Sequence, residues 1–144
     1  MITSVKNYFG QTCRINRLID AKLEQARGLR ELATKASSTL SDSPPSGTRN
    51  VHSMEDIIVK ILDLESEING DIGRLLTLKK DISTAIKDVP NPDHRVLLEL
   101  RYLCFKPWAE IACTMSYGRK YIFRLHENAL RQVVVPDEED TTIT

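Results

Sequence analysis

A run of aliphatic residues spaced three and four positions apart constrains this 144-residue chain more than any other feature. At 100° per residue the members of the run lie within about 60° of one direction, which predicts an amphipathic helix over residues 54–89. Its phase continues through Asn69-Gly70, a pair that can end one helix and start another. We therefore favour one long helix over a tight hairpin. The members of this apolar seam are Ile57, Ile61, Leu64, Ile68, Ile72, Leu75, Leu78, Ile82 and Ile86.

A helix of about 35 residues is roughly 50 Å long, and its apolar side needs a cover. The pattern of residues 1–37 predicts a basic amphipathic helix that covers part of this apolar side. A flexible linker is predicted over residues 38–53, which are rich in Ser and contain Pro44 and Pro45. A second copy of the chain would cover the rest, as a homodimer or small homo-oligomer. The seam steps average close to 3.6 residues, which favours a small helical bundle over a strict left-handed coiled coil. The residues predicted to carry oligomerisation are Ile57, Ile61, Leu64, Ile68, Ile72, Leu75, Ile82 and Ile86.

The segment Val89-Pro90-Asn91-Pro92 stops the long helix, because proline donates no helical hydrogen bond and disfavours helix in the residue before it. Three short helices are predicted in the following domain, residues 90–135. Asn91 caps the first, Pro107 starts the second, and the third begins at Arg119 after a turn. The whole chain is therefore predicted to be all-α. The residues predicted to face inward are Val96, Leu97, Leu100, either Tyr102 or Leu103, Trp108, Ile111, Ala112, Met115, Ile122, Leu125, Ala129 and Leu130.

Charge is sorted along the chain, although the formal net charge is +0. Residues 116–135 contain four Lys and Arg against one acidic residue, while residues 136–144 contain four acidic residues and no basic one. This acidic tail is predicted to be a solvated end, or else a competitor of DNA for the last helix. The last helix carries its basic residues on the side opposite its apolar residues, which is the layout of a helix-turn-helix DNA reader. These basic residues are Arg119, Lys120, Arg124 and Arg131.

The same stretch resembles the fourth-region helix-turn-helix of bacterial sigma factors over about 40 residues. The matching positions are Leu98 to Tyr102, Glu110-Ile111-Ala112, Ile122, Leu125 and Ala129-Leu130. Two positions depart from that pattern, since Gly118 stands where a Ser or Thr cap is common and Ser116 where a turn glycine is usual. The arrangement of the whole chain is similar to that of phage and mobile-element late-gene transcription regulators of the ArpU and RinA kind, which place a helical part before a sigma-like reader.

The resemblance implies a sequence-specific DNA-binding transcription regulator of phage or mobile-element late genes, whose helix over residues 119–133 reads the major groove. By position, Arg119, Lys120, Phe123 and Arg124 face that groove, while Arg101 and Lys106 lie near the phosphates, and Arg131 extends the basic side. The spacing of Phe123 also allows a second role, as the edge of the core. The implied partners are double-stranded DNA, a second copy of the chain, and RNA polymerase or another phage or host protein.

Two other functions remain open from the sequence. A small terminase-like DNA-packaging subunit also joins a helix-turn-helix to oligomerising helices, and a helical protein-interaction module would use the long helix instead. The three histidines are scattered and the three cysteines form no paired motif, so we expect no catalytic residues, no metal site and no cofactor. The chain shows neither a leader nor an apolar run of about 20 residues, and we expect a cytoplasmic protein without membrane contact.

Overall fold

The computed structural model describes residues 2–42 and 47–134, with side chains for residues 3–36 and 53–134. Regular structure in these residues is helical, which confirms the all-α prediction. The helices are α1 (Ile2–Asp42), α2 (Gly47–Lys87), α3 (Pro92–Leu98), a π-helical segment (Glu99–Leu103), α4 (Trp108–Met115) and α5 (Arg119–Arg131). None of the described helices is both long enough and apolar enough to cross a membrane.

Helix α2 passes through Asn69 and Gly70 without a break, so the prediction of one long helix is confirmed. The apolar seam keeps its phase on both sides of the pair, and burial of that seam offsets the roughly 1 kcal/mol that a glycine costs in a helix. The helix ends at Lys87, just before the predicted proline boundary. Asn91 then caps α3 as predicted, its side-chain oxygen accepting a hydrogen bond from the Asp93 amide.

The flexible linker predicted over residues 38–53 is wrong at both ends. Helix α1 continues to Asp42 and α2 already begins at Gly47, while residues 43–46 lie outside the described residues. Ser and Thr cost a helix less than about 1 kcal/mol each, so a helix that has already formed extends through them. The acidic tail, residues 136–144, also lies outside the described residues.

The chain divides into two compact units. The hairpin unit is Asn16–Arg74, in which the described parts of α1 and α2 run antiparallel around buried Ile19, Ala26 and Ile68. Lys22 Nζ lies 2.7 Å from Asp71 Oδ2, and Arg30 pairs with Glu65. Hydrogen bonds from Lys22 and then Arg74 hold the pKa of Asp71 below its ordinary value, so this buried carboxylate stays charged and paired.

The other unit, Met1–Ile15 with Leu75–Thr144, combines the start of α1, the end of α2 and all of the short helices. We call it the reader unit, after the function that the sequence predicts for its last helix. Its core takes residues from all of them, so the domain predicted over residues 90–135 is too narrow. Three helices of 7, 8 and 13 residues expose too much apolar surface to close a core alone, and the longer helices cover it. The core contains Val5, Phe9, Ile82, Ala85, Ile86, Val89, Leu97, Leu98, Tyr102, Ile111, Ile122, Leu125, Ala129, Leu130 and Val133.

One predicted core position faces the other way. Val96 is exposed and Leu98 is buried, because α3 runs directly into the π-helical segment. A π-helical turn contains more residues than an α-helical turn. A spacing of 3.6 residues counted back from Leu100 therefore predicts that Val96 is buried, although its side of α3 is exposed.

Helix α1 supplies hydrogen-bond donors to the π-helical segment. The buried Thr12 hydroxyl lies 2.8 Å from the Phe9 carbonyl oxygen and 3.0 Å from that of Tyr102, and shares its single hydrogen between them. The Cys13 thiol lies 3.9 Å from the Arg101 carbonyl oxygen. The start of α1 therefore stabilises the segment that leads into the helix-turn-helix.

Thr12→Val keeps the shape of this side chain and removes the hydroxyl. We expect a loss of about 1 to 2 kcal/mol in the free energy of unfolding, because buried carbonyl oxygens lose their donor. Thr34→Val is the matched control, since the Thr34 hydroxyl bonds the Arg30 carbonyl on an exposed part of α1. Urea unfolding followed by circular dichroism measures both; equal midpoints for the two variants would contradict the assigned role of Thr12.

Candidate nucleic-acid interface

Helix α5 packs against the core of the reader unit through the residues that the sequence predicts to face inward. Ile122, Leu125, Ala129 and Leu130 are all buried, which confirms that part of the prediction. The turn before α5 begins at Ser116, whose φ of 61° lies in the left-handed region that favours glycine. This is the position where the sigma-factor pattern has a glycine.

The basic residues of α5 lie on its exposed side. Among the described residues, Arg119, Lys120 and Arg124 have no hydrogen-bond or ion-pair partner, whereas Arg131 reaches Asn128 at 3.5 Å. Lys120, Arg124 and Arg131 share one face with Glu127, and Arg119 lies in the first turn. All three cations that the sequence predicts for the major groove are therefore accessible, and two of them, Lys120 and Arg124, share a face.

The first turn of α5 is unfavourable to the helix itself. It contains Arg119 and Lys120 and no acidic residue, although the helix dipole makes this end positive. Its cap residue, Gly118, has no side chain that could accept a hydrogen bond from the first amides of the helix. Two cations at such an end each cost a few tenths of a kcal/mol in the absence of an anion, and a bound phosphate or base acceptor would reverse that cost.

Phe123 and Trp108 form an aromatic pair at one flank of α5. Their ring centroids are 5.3 Å apart in an edge-on arrangement, and Phe123 remains 44% exposed. Trp108, predicted to be a core residue, is half-buried and packs on the core cluster. Phe123 is thus a core edge on one side and an exposed apolar surface on the other, which fits both roles that the sequence allows.

Arg101 and Lys106 lie beside the same tryptophan. The Arg101 guanidinium stands 4.5 Å from the centre of the Trp108 ring and donates to the Lys106 carbonyl oxygen at 3.1 Å. Lys106 Nζ is 3.3 Å from Glu110. Both predicted phosphate contacts therefore have partners inside the protein, which leaves them part of their donors for a ligand.

Tyr121 is an exposed aromatic residue of α5 that the sequence analysis missed. It is 45% exposed, and its ring centroid lies 4.6 Å from that of Tyr117. The Tyr117 hydroxyl donates to Asp93 Oδ2 at 2.8 Å, and this bond raises the pKa of Tyr117. Periodicity did not mark it as exposed, since Tyr121 lies four residues before the buried Leu125 and so close to the apolar side of α5.

His126 was also missed, and it is a buried residue of α5. Its Nε2 lies 2.7 Å from the Tyr102 hydroxyl. Burial lowers the pKa of His126 to about 4, with smaller contributions from Lys6 and Arg101, and burial raises the pKa of Tyr102 to about 12. Both side chains are therefore neutral at pH 7. The signal was its position, four residues from both Ile122 and Leu130 in the apolar seam of α5.

The seam predicted to carry oligomerisation is mostly covered within the chain. Of its eight residues only Ile72 is exposed, while Ile68, Leu75, Ile82 and Ile86 are buried and the others are half-buried. Helix α1 covers most of this seam because it is 41 residues long and matches α2 in length, so less of the seam is left for a second copy than the sequence predicts. A short first helix would have left part of the seam uncovered.

Comparisons with protein-family models, with curated proteins and with solved structures found no match to this chain.

The buried His126 makes stability depend on pH. Its folded pKa of about 4 lies below its unfolded value of about 6.5, so the unfolded chain binds more protons between these values. We expect the free energy of unfolding to have its full value above pH 6.5 and to fall by on the order of 3 kcal/mol as the pH drops to 4. Unfolding at each pH, compared between the wild-type chain and His126→Gln, measures this difference. Parallel stability curves for the two proteins would contradict it.

Proposed function

We propose that this protein is a sequence-specific DNA-binding regulator of transcription of phage or mobile-element late genes, and that α5 reads base edges in the major groove. The observation that carries the proposal is the group of Arg119, Lys120 and Arg124. All three are exposed without partners among the described residues, on a helix whose other side is fixed to a core.

The dimensions and chemistry of α5 fit this groove. Its 13 residues extend over roughly 20 Å, and the major groove of B-DNA, about 12 Å wide, admits one helix. An arginine there contacts guanine through two hydrogen bonds, which contribute about 1 to 3 kcal/mol of discrimination against other bases. The exposed rings of Phe123 and Tyr121 offer apolar contacts to thymine methyl groups.

Phosphate contacts would hold the protein in register. Arg131 lies on the outer face of α5, and Lys106 precedes α4, whose first amides have no side-chain cap. The Arg101 guanidinium stands over the Trp108 ring and donates to the Lys106 carbonyl oxygen, which leaves its other N–H groups for a phosphate. Such contacts add affinity without sequence information.

The assignment to transcription rests on the sigma-like pattern of residues 98–130. Under it, the protein acts in the cytoplasm and reaches RNA polymerase or another phage or host protein while α5 is on DNA. DNA binding itself rests on the placement of the α5 cations.

Selection from a random duplex library with the full-length chain tests the proposal. We expect one enriched motif, and about 5- to 150-fold weaker binding of it by Arg119→Ala or Arg124→Ala in fluorescence anisotropy. Arg131→Ala should weaken all duplexes similarly and reduce the salt slope by about 1, because it removes one phosphate contact.

The matched control replaces two exposed cations of α2, Lys60→Ala with Lys87→Ala, and should leave affinity and salt slope unchanged. A library without any enriched motif, or equal losses in the control and the α5 variants, would reject sequence-specific reading by α5. Footprinting on the source genome then separates the two DNA functions, since a regulator protects promoter DNA and a packaging subunit a packaging site.

A further inference from the structure

Helix α2 carries a second row of residues beside its apolar seam, with Ile72 common to both, that we call the exposed stripe. Four of its six members are large apolar residues between 40% and 63% exposed. The steps along it alternate four, three, four, three, four, which is a seven-residue repeat, the spacing of a coiled-coil seam. The exposed stripe consists of Ile58, Leu62, Glu65, Asn69, Ile72 and Leu76.

The order of polar and apolar residues in the exposed stripe is the same from both ends. Two apolar residues come first, then two polar residues, then two apolar residues. When a second copy of α2 lies antiparallel about a two-fold axis through the middle, Ile58 meets Leu76, Leu62 meets Ile72, and Glu65 meets Asn69. A parallel copy would instead set Glu65 against Glu65. Polar and apolar layers thus match in the antiparallel register, and no like charges face each other.

We propose that the exposed stripe is a homodimer interface in which two copies of α2 pack antiparallel in this register. Glu65 already pairs with Arg30 of its own chain, so its charge is compensated before association. The Asn69 amide of the second copy can donate a hydrogen bond to the Glu65 carboxylate. One such satisfied polar layer fixes the register of a helical interface at some cost in affinity.

Small residues flank the exposed stripe on the side away from the buried seam. Ser66 and Gly73 occupy equivalent positions seven residues apart, and a Cβ atom built at Gly73 would meet no atom within 4 Å. Packing within the chain therefore does not require glycine there, although glycine costs a helix about 1 kcal/mol. A second helix that approaches closely on this flank gives a reason for both residues.

A two-fold dimer carries two symmetry-related copies of α5. If α5 reads DNA as proposed, the operator consists of two inverted half-sites. Only this consequence depends on the proposed function, because dimerisation is measured without DNA.

Sedimentation equilibrium of the full-length chain at tens of micromolar tests the interface. We expect twice the chain mass of 16.3 kDa for the wild type, and a single chain mass for Leu62→Glu and for Ile72→Lys. An equimolar mixture of these two variants should regain the dimer, since the introduced carboxylate and ammonium groups face each other only in the antiparallel register. Leu32→Glu, at an equally exposed leucine of α1, is the matched control and should remain dimeric.

Asn69→Asp provides a second test with a change of one atom group. It sets a carboxylate against Glu65 of the other copy and should weaken the dimer about tenfold, while circular dichroism shows the helix content of the wild type. A monomeric wild-type chain, a ring of eight or more subunits, or a mixture that stays monomeric would each overturn the proposal. Unchanged DNA binding by an α5 variant that still dimerises would reject the proposed function and leave the interface standing.

Discussion

The hydrogen bond from the Thr12 hydroxyl to the Tyr102 carbonyl oxygen is the contact on which the reader unit depends. Tyr102 also stands edge-on to Phe9, with ring centroids 5.3 Å apart, and its hydroxyl contacts His126 of α5. A continuous set of buried contacts therefore runs from α1 through the π-helical segment to the candidate recognition helix. Moving α1 away would leave the Tyr102 carbonyl oxygen without this donor, and an unpaired buried acceptor costs about 1 to 3 kcal/mol of folding free energy. The orientation of α5 is thus set by the first turns of the chain.

Local patterns in the sequence were sufficient for the helices and for the exposed face of α5. The continuity of α2, the cap at Asn91 and the start of α5 at Arg119 follow from periodicity, capping and proline chemistry within a few residues. The extent of the helices was not predictable in the same way, because Ser and Thr only weakly oppose a helix and tertiary contacts decide whether it continues. The bounds of the linker failed for this reason.

Features that depend on contacts between distant segments escaped prediction. The π-helical segment moved Leu98 into the core and Val96 out of it, and no local pattern marks such a segment. The length of α1 decided whether the α2 seam was free, and that length was underestimated. His126 shows the same limit at the candidate site, since a titratable residue in an apolar seam becomes a neutral core residue only when a partner such as Tyr102 is beside it.

The core of the reader unit joins Val5 and Phe9, near one end of the chain, to Leu130 and Val133, near the other. Contacts so far apart in sequence close slowly, since the loop between them loses its freedom before any burial is gained. During synthesis, α1 and α2 leave the ribosome well before their partners in this core exist. A growing chain therefore cannot complete this core before α5 has been made, so the exposed basic face of α5 gains its packed support in one step rather than gradually.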